Sequence, residues 1–281
     1  MKLKIRYRTE YRYGSAVSLS PHTFRLFPKP DLHLKVERAE FQTNGQADVQ
    51  YRRDLFDNIV AQAFYPEVSP SLEARLELDL DVQELNAFHF ILDLRAAQLP
   101  FTYEAHERAV LDPYLKSGQV PVSLPFWKLE PGPTVSTLVE LNRAIHDNLR
   151  YERREEGVAR TARETLAAGG GACRDYAVLL AESLRSIGIA ARLASGYLLE
   201  SGGGERYAEG ALHAWTEAFL PGAGWVGLDP TNGTFCNHCH VTAAVGLCAA
   251  DIAPIVGSYY SNIPVSSSMS AALEIGSAGP G

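Results

Sequence analysis

Cys173 stands at the end of Gly169-Gly170-Gly171-Ala172-Cys173-Arg174-Asp175, and an apolar helical run follows it. Glycines let the backbone turn sharply into a helix, and a cysteine on the first helical turn feels the positive end of the helix dipole, which favours thiolate over thiol. His213, in Leu212-His213-Ala214-Trp215, and Asp229, in Leu228-Asp229-Pro230, come later at strand-like positions. Cysteine, histidine and aspartate in that order would supply a nucleophile, its base and the residue that orients the base. Taken singly, each has a plainer reading. A free cysteine in a helix is usually a small buried apolar residue, a lone histidine is usually structural, and Asp-Pro-Thr-Asn-Gly is rich in turn formers. The glycine-rich approach separates Cys173 from a core cysteine, because a nucleophile needs access, a lowered pKa and nearby backbone N–H donors for a developing oxyanion.

If residues 212–220 form a strand, His213, Trp215 and Glu217 share one face and Ala214, Thr216 and Ala218 the other. The aromatic neighbour then limits solvation of the histidine. Placing Asp229 is harder. A four-residue loop from Pro221 to Gly224 would pair Leu220 with Trp225 and set Asp229 opposite Thr216, three positions short of His213. Direct pairing would need a tighter turn, a bulge or strands that are not a simple hairpin. Asp175, two residues after Cys173, points to a different helix face. It takes a structural role, in an ion pair with Arg174 or a bond at the helix start. The backbone N–H of Cys173 is the first candidate oxyanion donor.

These blocks resemble the transglutaminase-like superfamily of cysteine enzymes. Its Cys-Arg/Gln-Asp-Phe/Tyr-Ala motif is met by Cys173, Arg174, Asp175, Tyr176 and Ala177, and its downstream blocks by Ser195-Gly196-Tyr197, His213 to Glu217 and Gly224 to Gly233, in the expected order. The resemblance implies catalytic Cys173, His213 and Asp229. It also implies an N-terminal β domain of bacterial type, whose opening Tyr7 to Tyr13 resembles. His240-Val241 and Ala244 to Gly246 are similar to the segment that follows the aspartate in the family.

Cys236-Asn237-His238-Cys239-His240 also matches a c-type haem attachment string. Attachment requires export, however, and no stretch of signal-peptide character opens the chain. Cys236, His238, Cys239 and Cys248 offer soft ligands for zinc, yet adjacent His238 and Cys239 diverge in any regular backbone and no second spaced ligand pair exists. No metal, calcium included, and no other cofactor is expected; the three cysteines here depart from the family pattern.

The surrounding chain must position these groups. Its 281 residues are 46% hydrophobic, enough for two modest cores, and 26 Lys+Arg against 33 Asp+Glu give a net charge of −7. Without a clustered basic run, neither nucleic acid nor an anionic membrane is an expected partner. Arg150 to Arg154, broken by Glu152 and followed by Glu155 and Glu156, reads as a solvated helix end. No 18-residue apolar segment appears, so a cytoplasmic location is expected, where four cysteines would remain free thiols.

Strand-like alternation covers Lys2 to Tyr13, His33 to Phe41, Asp48 to Tyr51, Asn58 to Tyr65 and Glu73 to Val82. Proline-rich sequence from Asn86 to Pro133 reads as a connector touching both domains. Val135, Leu138, Leu141, Ile145 and Leu149 predict an amphipathic helix with Thr134 as its cap. A second helix should run from Cys173 to about Ser186 and end at Gly188, followed by strands at 191–200, 212–220 and 225–228, with Ser201 to Gly204 linking the first two. The Ser-, Ala- and Gly-rich tail from Ser266 should be mobile at its end.

The expected class is therefore α+β. A β-sandwich at 1–100 leads through a connector at 101–133 to a papain-like, transglutaminase-like domain at 134–281. The expected activity is cleavage of an amide bond in a protein or peptide substrate through a Cys173 thioester, as a peptidase, amidase or isopeptidase. Transfer to a lysine-type amine and a catalytically silent protein-binding scaffold are the alternatives.

Overall fold

Alternating polar and apolar residues carry the N-terminal part into strands. In β1 (Lys2–Leu19), Leu3, Ile5 and Tyr7 are buried while Lys2, Lys4 and Arg6 face water, the period of two that a pleated strand imposes. β2 (His22–Phe24), β3 (Leu34–Thr43), β4 (Asp48–Arg53), β5 (Ile59–Phe64) and β6 (Ser69–Val82) follow. Phe24, Ala61 and Ala63 from one sheet meet Leu72, Leu76 and Leu78 from the other, which makes the expected sandwich. The computed structural model describes residues 1–118, 122–154, 157–199, 206–208 and 212–277. The anticipated Ser201 to Gly204 linker lies outside them.

The proline-rich connector is more ordered than its composition suggests and contains α1 (Ala105–Leu115). Its Phe90, Leu92, Leu99, Phe101, Leu124 and Trp127 all pack into the second core. In α2 (Thr134–Asn148), Leu138, Leu141 and Ile145 are fully buried, as three- and four-residue spacing requires. Thr134 does not cap this helix. Pro133 holds the cap position, and the Thr134 hydroxyl donates to the Ala96 carbonyl at 2.6 Å, pinning the helix start to the preceding segment.

β7 (Arg150–Tyr151) runs parallel to β8 (Gly170–Gly171), with α3 (Ala162–Ala168) between them. Gly169, at φ 64°, ends α3 in the left-handed conformation that glycine adopts without strain. α4 (Cys173–Ser186) begins two residues after β8, and Gly188 at φ 83° follows its end.

Beyond it come β9 (Ala191–Leu198), β10 (Arg206–Ala208), β11 (His213–Leu220), β12 (Gly224–Asp229), β13 (Thr234–Phe235) and β14 (His240–Gly246). Five of them form an antiparallel sheet in the order β13-β12-β11-β9-β14. Ala214, Ala218 and Leu220 face Ala177, Leu180 and Leu184 of α4, and the Thr216 hydroxyl donates to the Ala177 carbonyl at 2.8 Å.

The last strands return to the first body. β15 (Ile255–Val256) pairs with β2, and β16 (Tyr259–Tyr260) and β17 (Ser267–Ser277) both pair with β1. β17 runs antiparallel to β1 from Tyr13 opposite Ser267 to Leu3 opposite Ser277. The completed sandwich sheets read β10-β17-β1-β6-β3 and β15-β2-β5-β4. A division at 134–281 therefore does not describe the packing of residues 255–277. The tail's serines and alanines give little contrast between the two faces, although Leu273 is buried and Ala271 and Ile275 pack beside it.

Asn58 joins the two bodies. Fully buried, it donates from Nδ2 to the Val245 carbonyl and accepts from the Val245 N–H, both at 2.8 Å, so its amide stands in for a neighbouring strand beside β14. The Tyr197 hydroxyl adds a bond to the Leu26 carbonyl at 2.7 Å.

Candidate functional site

Cys173 is the first residue of α4 and is partly exposed. The glycines before it serve close approach as well as turning. A Cβ on Gly170 would collide with the Arg150 carbonyl oxygen, and one on Gly171 would lie 2.7 Å from the Asp175 carboxylate. Asp175 is completely buried and organises this entry. It accepts from the Ala172 N–H at 2.8 Å, from the Arg160 N–H at 2.7 Å and from the Arg154 guanidinium at 2.7 and 2.9 Å. The expected helix-start bond is present, but the charged partner is Arg154, not Arg174, whose guanidinium donates to the Arg154 carbonyl at 2.7 Å. The stretch 150–154 is accordingly no solvated helix end: it begins as a strand and closes on a buried acid.

His213 begins β11. Its partner Asp229 ends β12, and the register explains how they meet. The turn spans Pro221 to Ala223, so Leu220 pairs with Gly224 and Thr216 with Leu228. One step further sets Asp229 against Trp215, two positions from His213 and on the same face of the sheet. Such diagonal neighbours are within reach of long side chains. His213 Nε2 lies 2.8 Å from Asp229 Oδ2. Cys173 stands near enough to the imidazole to help hold its proton, on the side away from Asp229. Trp215, almost fully buried, stacks beside the His213 ring at 6.2 Å.

Asp229 holds its turn with one oxygen and meets the imidazole with the other. Oδ1 accepts from the Thr231 and Asn232 N–H groups at 3.0 and 3.3 Å, closing the Asp-Pro-Thr-Asn-Gly turn, while Oδ2 faces the imidazole. Oδ2 also receives Asn232 Nδ2 at 2.7 Å and His240 Nε2 at 3.2 Å. Asn142 of α2 donates to the Asp229 and Thr234 carbonyls at 3.2 and 3.0 Å, holding the turn from behind. Asn232 and Asn142 escaped the sequence reading. Asn232 carried the ambiguous signal of a turn former, whereas Asn142 was detectable only as a polar residue on the apolar stripe of α2.

Burial alone would lower the pKa of His213 and raise that of Asp229. Hydrogen bonds reverse both effects. Asp229 and then Cys173 hold the His213 proton so that its pKa rises to about 10, and His213, His240 and Asn232 hold Asp229 well below the usual carboxylate range. Tyr151, half exposed on β7, stands close enough for Cys173 to add to the burial that raises its hydroxyl pKa.

Residues 128–230 match the Transglutaminase-like superfamily, and residues 3–81 match the Bacterial transglutaminase-like N-terminal region. The chain belongs to the transglutaminase-like superfamily. An uncharacterized protein of Mycobacterium tuberculosis (strain ATCC 25618 / H37Rv) is 26% identical to this transglutaminase-like chain over 283 residues, covering 93% of it and 88% of the relative. A shorter match, to an uncharacterized protein of Mycobacterium leprae (strain TN), is 33% identical over 124 residues, 43% of this chain and 44% of the other. The crystal structure of a candidate cysteine protease from Cytophaga hutchinsonii shares the fold, with a TM-score of 0.71 at 20% identity over 99% of this chain and 90% of that one.

The cysteine- and histidine-rich string of this transglutaminase-like chain is dispersed by the fold. Cys236 lies against Gly227 near Trp215, Cys239 packs into the sandwich core, His238 Nδ1 accepts from the Leu85 N–H at 3.3 Å, and His240 turns to Asp229. Among the described residues no three His, Cys, Asp or Glu side chains group as metal ligands, and no helix is long and apolar enough to cross a membrane. Burial, then the charges of Asp229 and Glu217, push the Cys236 thiol well above its ordinary pKa.

Proposed function

We propose that the chain is a cysteine-dependent enzyme that cleaves amide bonds in a protein or peptide, with Cys173 as nucleophile, His213 as acid and base, and Asp229 as the residue orienting His213. The observation that carries this reading is the meeting of Cys173, at the start of α4, with an imidazole whose Nε2 lies 2.8 Å from Asp229 Oδ2, the imidazole pKa being raised to about 10 by Asp229 and then Cys173. A ring that keeps its proton at neutral pH is a suitable partner for a thiolate.

The thiolate attacks the substrate carbonyl and forms a C–S bond. The carbonyl π electrons move to oxygen, and the Cys173 N–H, on the first helical turn where amides have no intrahelical acceptor, receives the oxyanion. When the C–N bond breaks, His213 gives its proton to the departing amine and a thioester remains. His213, now neutral, takes a proton from water as it attacks the thioester carbon, and the carboxylic acid and Cys173 are released. Hydrolysis makes the chain a peptidase, amidase or isopeptidase, a reading to which the Cytophaga protein lends support. A lysine-type amine in place of water would give a crosslinked product through the same first half-reaction.

Alkylation of each cysteine against pH, followed by peptide mass spectrometry, tests the nucleophile without requiring the substrate. Cys173 should react fastest of the cysteines at neutral pH, and His213→Ala should slow it. Ordinary thiol behaviour at Cys173 in both proteins would favour the silent scaffold.

A further inference from the structure

His240 lies beyond the matched core at 128–230 and has no part in the reaction just described. Its ring is nevertheless fixed at both nitrogens. Nδ1 is 3.3 Å from the Asn237 backbone N–H, which can only donate, so Nδ1 accepts. The proton of the neutral ring therefore sits on Nε2, which points to Asp229 Oδ2 at 3.2 Å.

The place of this bond in the sheet gives it a use. Asp229 ends β12, whereas His240 begins β14, and β11 and β9 lie between them. Asn232 and the turn amides hold Asp229 from its own side; His240 holds it from the far side. Because Asp229 meets His213 diagonally, its carboxylate must lean along the strand, and donors from two directions fix that lean. Packing alone would not require an imidazole. The His240 ring stands edge-on to Trp215 at 5.4 Å with 6% of its side chain exposed, a role that another aromatic ring could fill.

We propose that His240 is a positioning residue: donating from Nε2, it anchors the Asp229 oxygen shared with His213, and so sets the tilt and tautomer of the base that serves Cys173. This rests on the reading of Cys173 and His213 as nucleophile and base. The titratable groups that face the His240 ring are Asp229 on β12 and His213 on β11, whose ring lies 6.4 Å away.

The test compares His240→Phe, which keeps the ring but removes the donor, with His240→Gln, which places an amide donor near the position of Nε2. Each is assayed for Cys173 alkylation by iodoacetamide from pH 5 to 10 beside wild type and His213→Ala. His240→Phe should slow Cys173 alkylation at pH 7 about tenfold, and His240→Gln should restore most of the loss. A wild-type profile in folded His240→Phe, with a shifted one in His213→Ala, overturns this proposal alone. An unshifted His213→Ala profile removes the parent reading and this proposal with it. Should His240→Phe fail to fold, ¹⁵N–¹H spectra of the wild-type histidine rings decide. A His240 ring with Nε2 as the donor and Nδ1 as the acceptor is required, and the reverse pattern overturns the assignment.

Discussion

Two buried carboxylates flank Cys173, and they differ in the company they keep. Asp175, at the start of α4, is bonded by backbone N–H groups and by Arg154, whose donors do not change with pH. Asp229, at the end of β12, is bonded by two imidazoles, a side-chain amide and two turn N–H groups. Both are fully shielded from water, so burial does not distinguish scaffold from chemistry. The distinction lies in whether an acid's partners can give up a proton under ordinary conditions. By that criterion Asp175 fixes where Cys173 stands, and Asp229 fixes what His213 can do.

Breaking the Asp175 side should have the largest effect on stability. Asp175→Ala leaves the Arg154 guanidinium and two N–H groups without their acceptor and should cost about 3–5 kcal/mol in urea denaturation at pH 7; a loss below about 1 kcal/mol would deny Asp175 its organising role. The Asp229 side should appear in pH dependence. The folded pKa of His213 lies above its unfolded value of about 6.5, so its stabilisation is complete below that value and is lost as pH rises toward about 10. Between pH 6.5 and 10 wild type should lose about 2–3 kcal/mol relative to His213→Gln, the figure being reduced because Cys173 and Asp229 share the titration. Parallel stability curves for the two proteins would remove the distinction between the acids. The smallest effect is steric. Gly171→Ala places a methyl 2.7 Å from the Asp175 carboxylate and should cost about 1–3 kcal/mol in thermal or chemical denaturation, with no change in the pH dependence assigned to His213.

The same contrast bears on what could be read from sequence. Cys173, His213 and Asp229 stood out because their residue types are uncommon at a glycine-rich helix start, a strand beginning and a strand end. The helix from Cys173 to Ser186 was legible from its apolar spacing and the glycine beyond it. The partners of Asp175 were not, because Arg154 is remote in sequence and sat among charges that looked solvated. The Asp229 register was misjudged by one residue of turn, since Pro-Gly-Ala-Gly admits loops of either length and only strand pairing selects among them. Residues 255–277 were hidden for another reason: strand partnership across the whole chain leaves no local signal, and serine and alanine mute the alternation that would otherwise mark an inward face.

The pairing of β17 with β1 ties the architecture to the order of synthesis. The partner of β1 lies far along the chain, so one edge of β1 stays open until all the sequence between the two strands has been made. An open edge invites pairing with other chains, and contacts this distant in sequence form slowly. For a nascent chain the N-terminal sandwich is thus begun before the body that carries Cys173 and sealed after it.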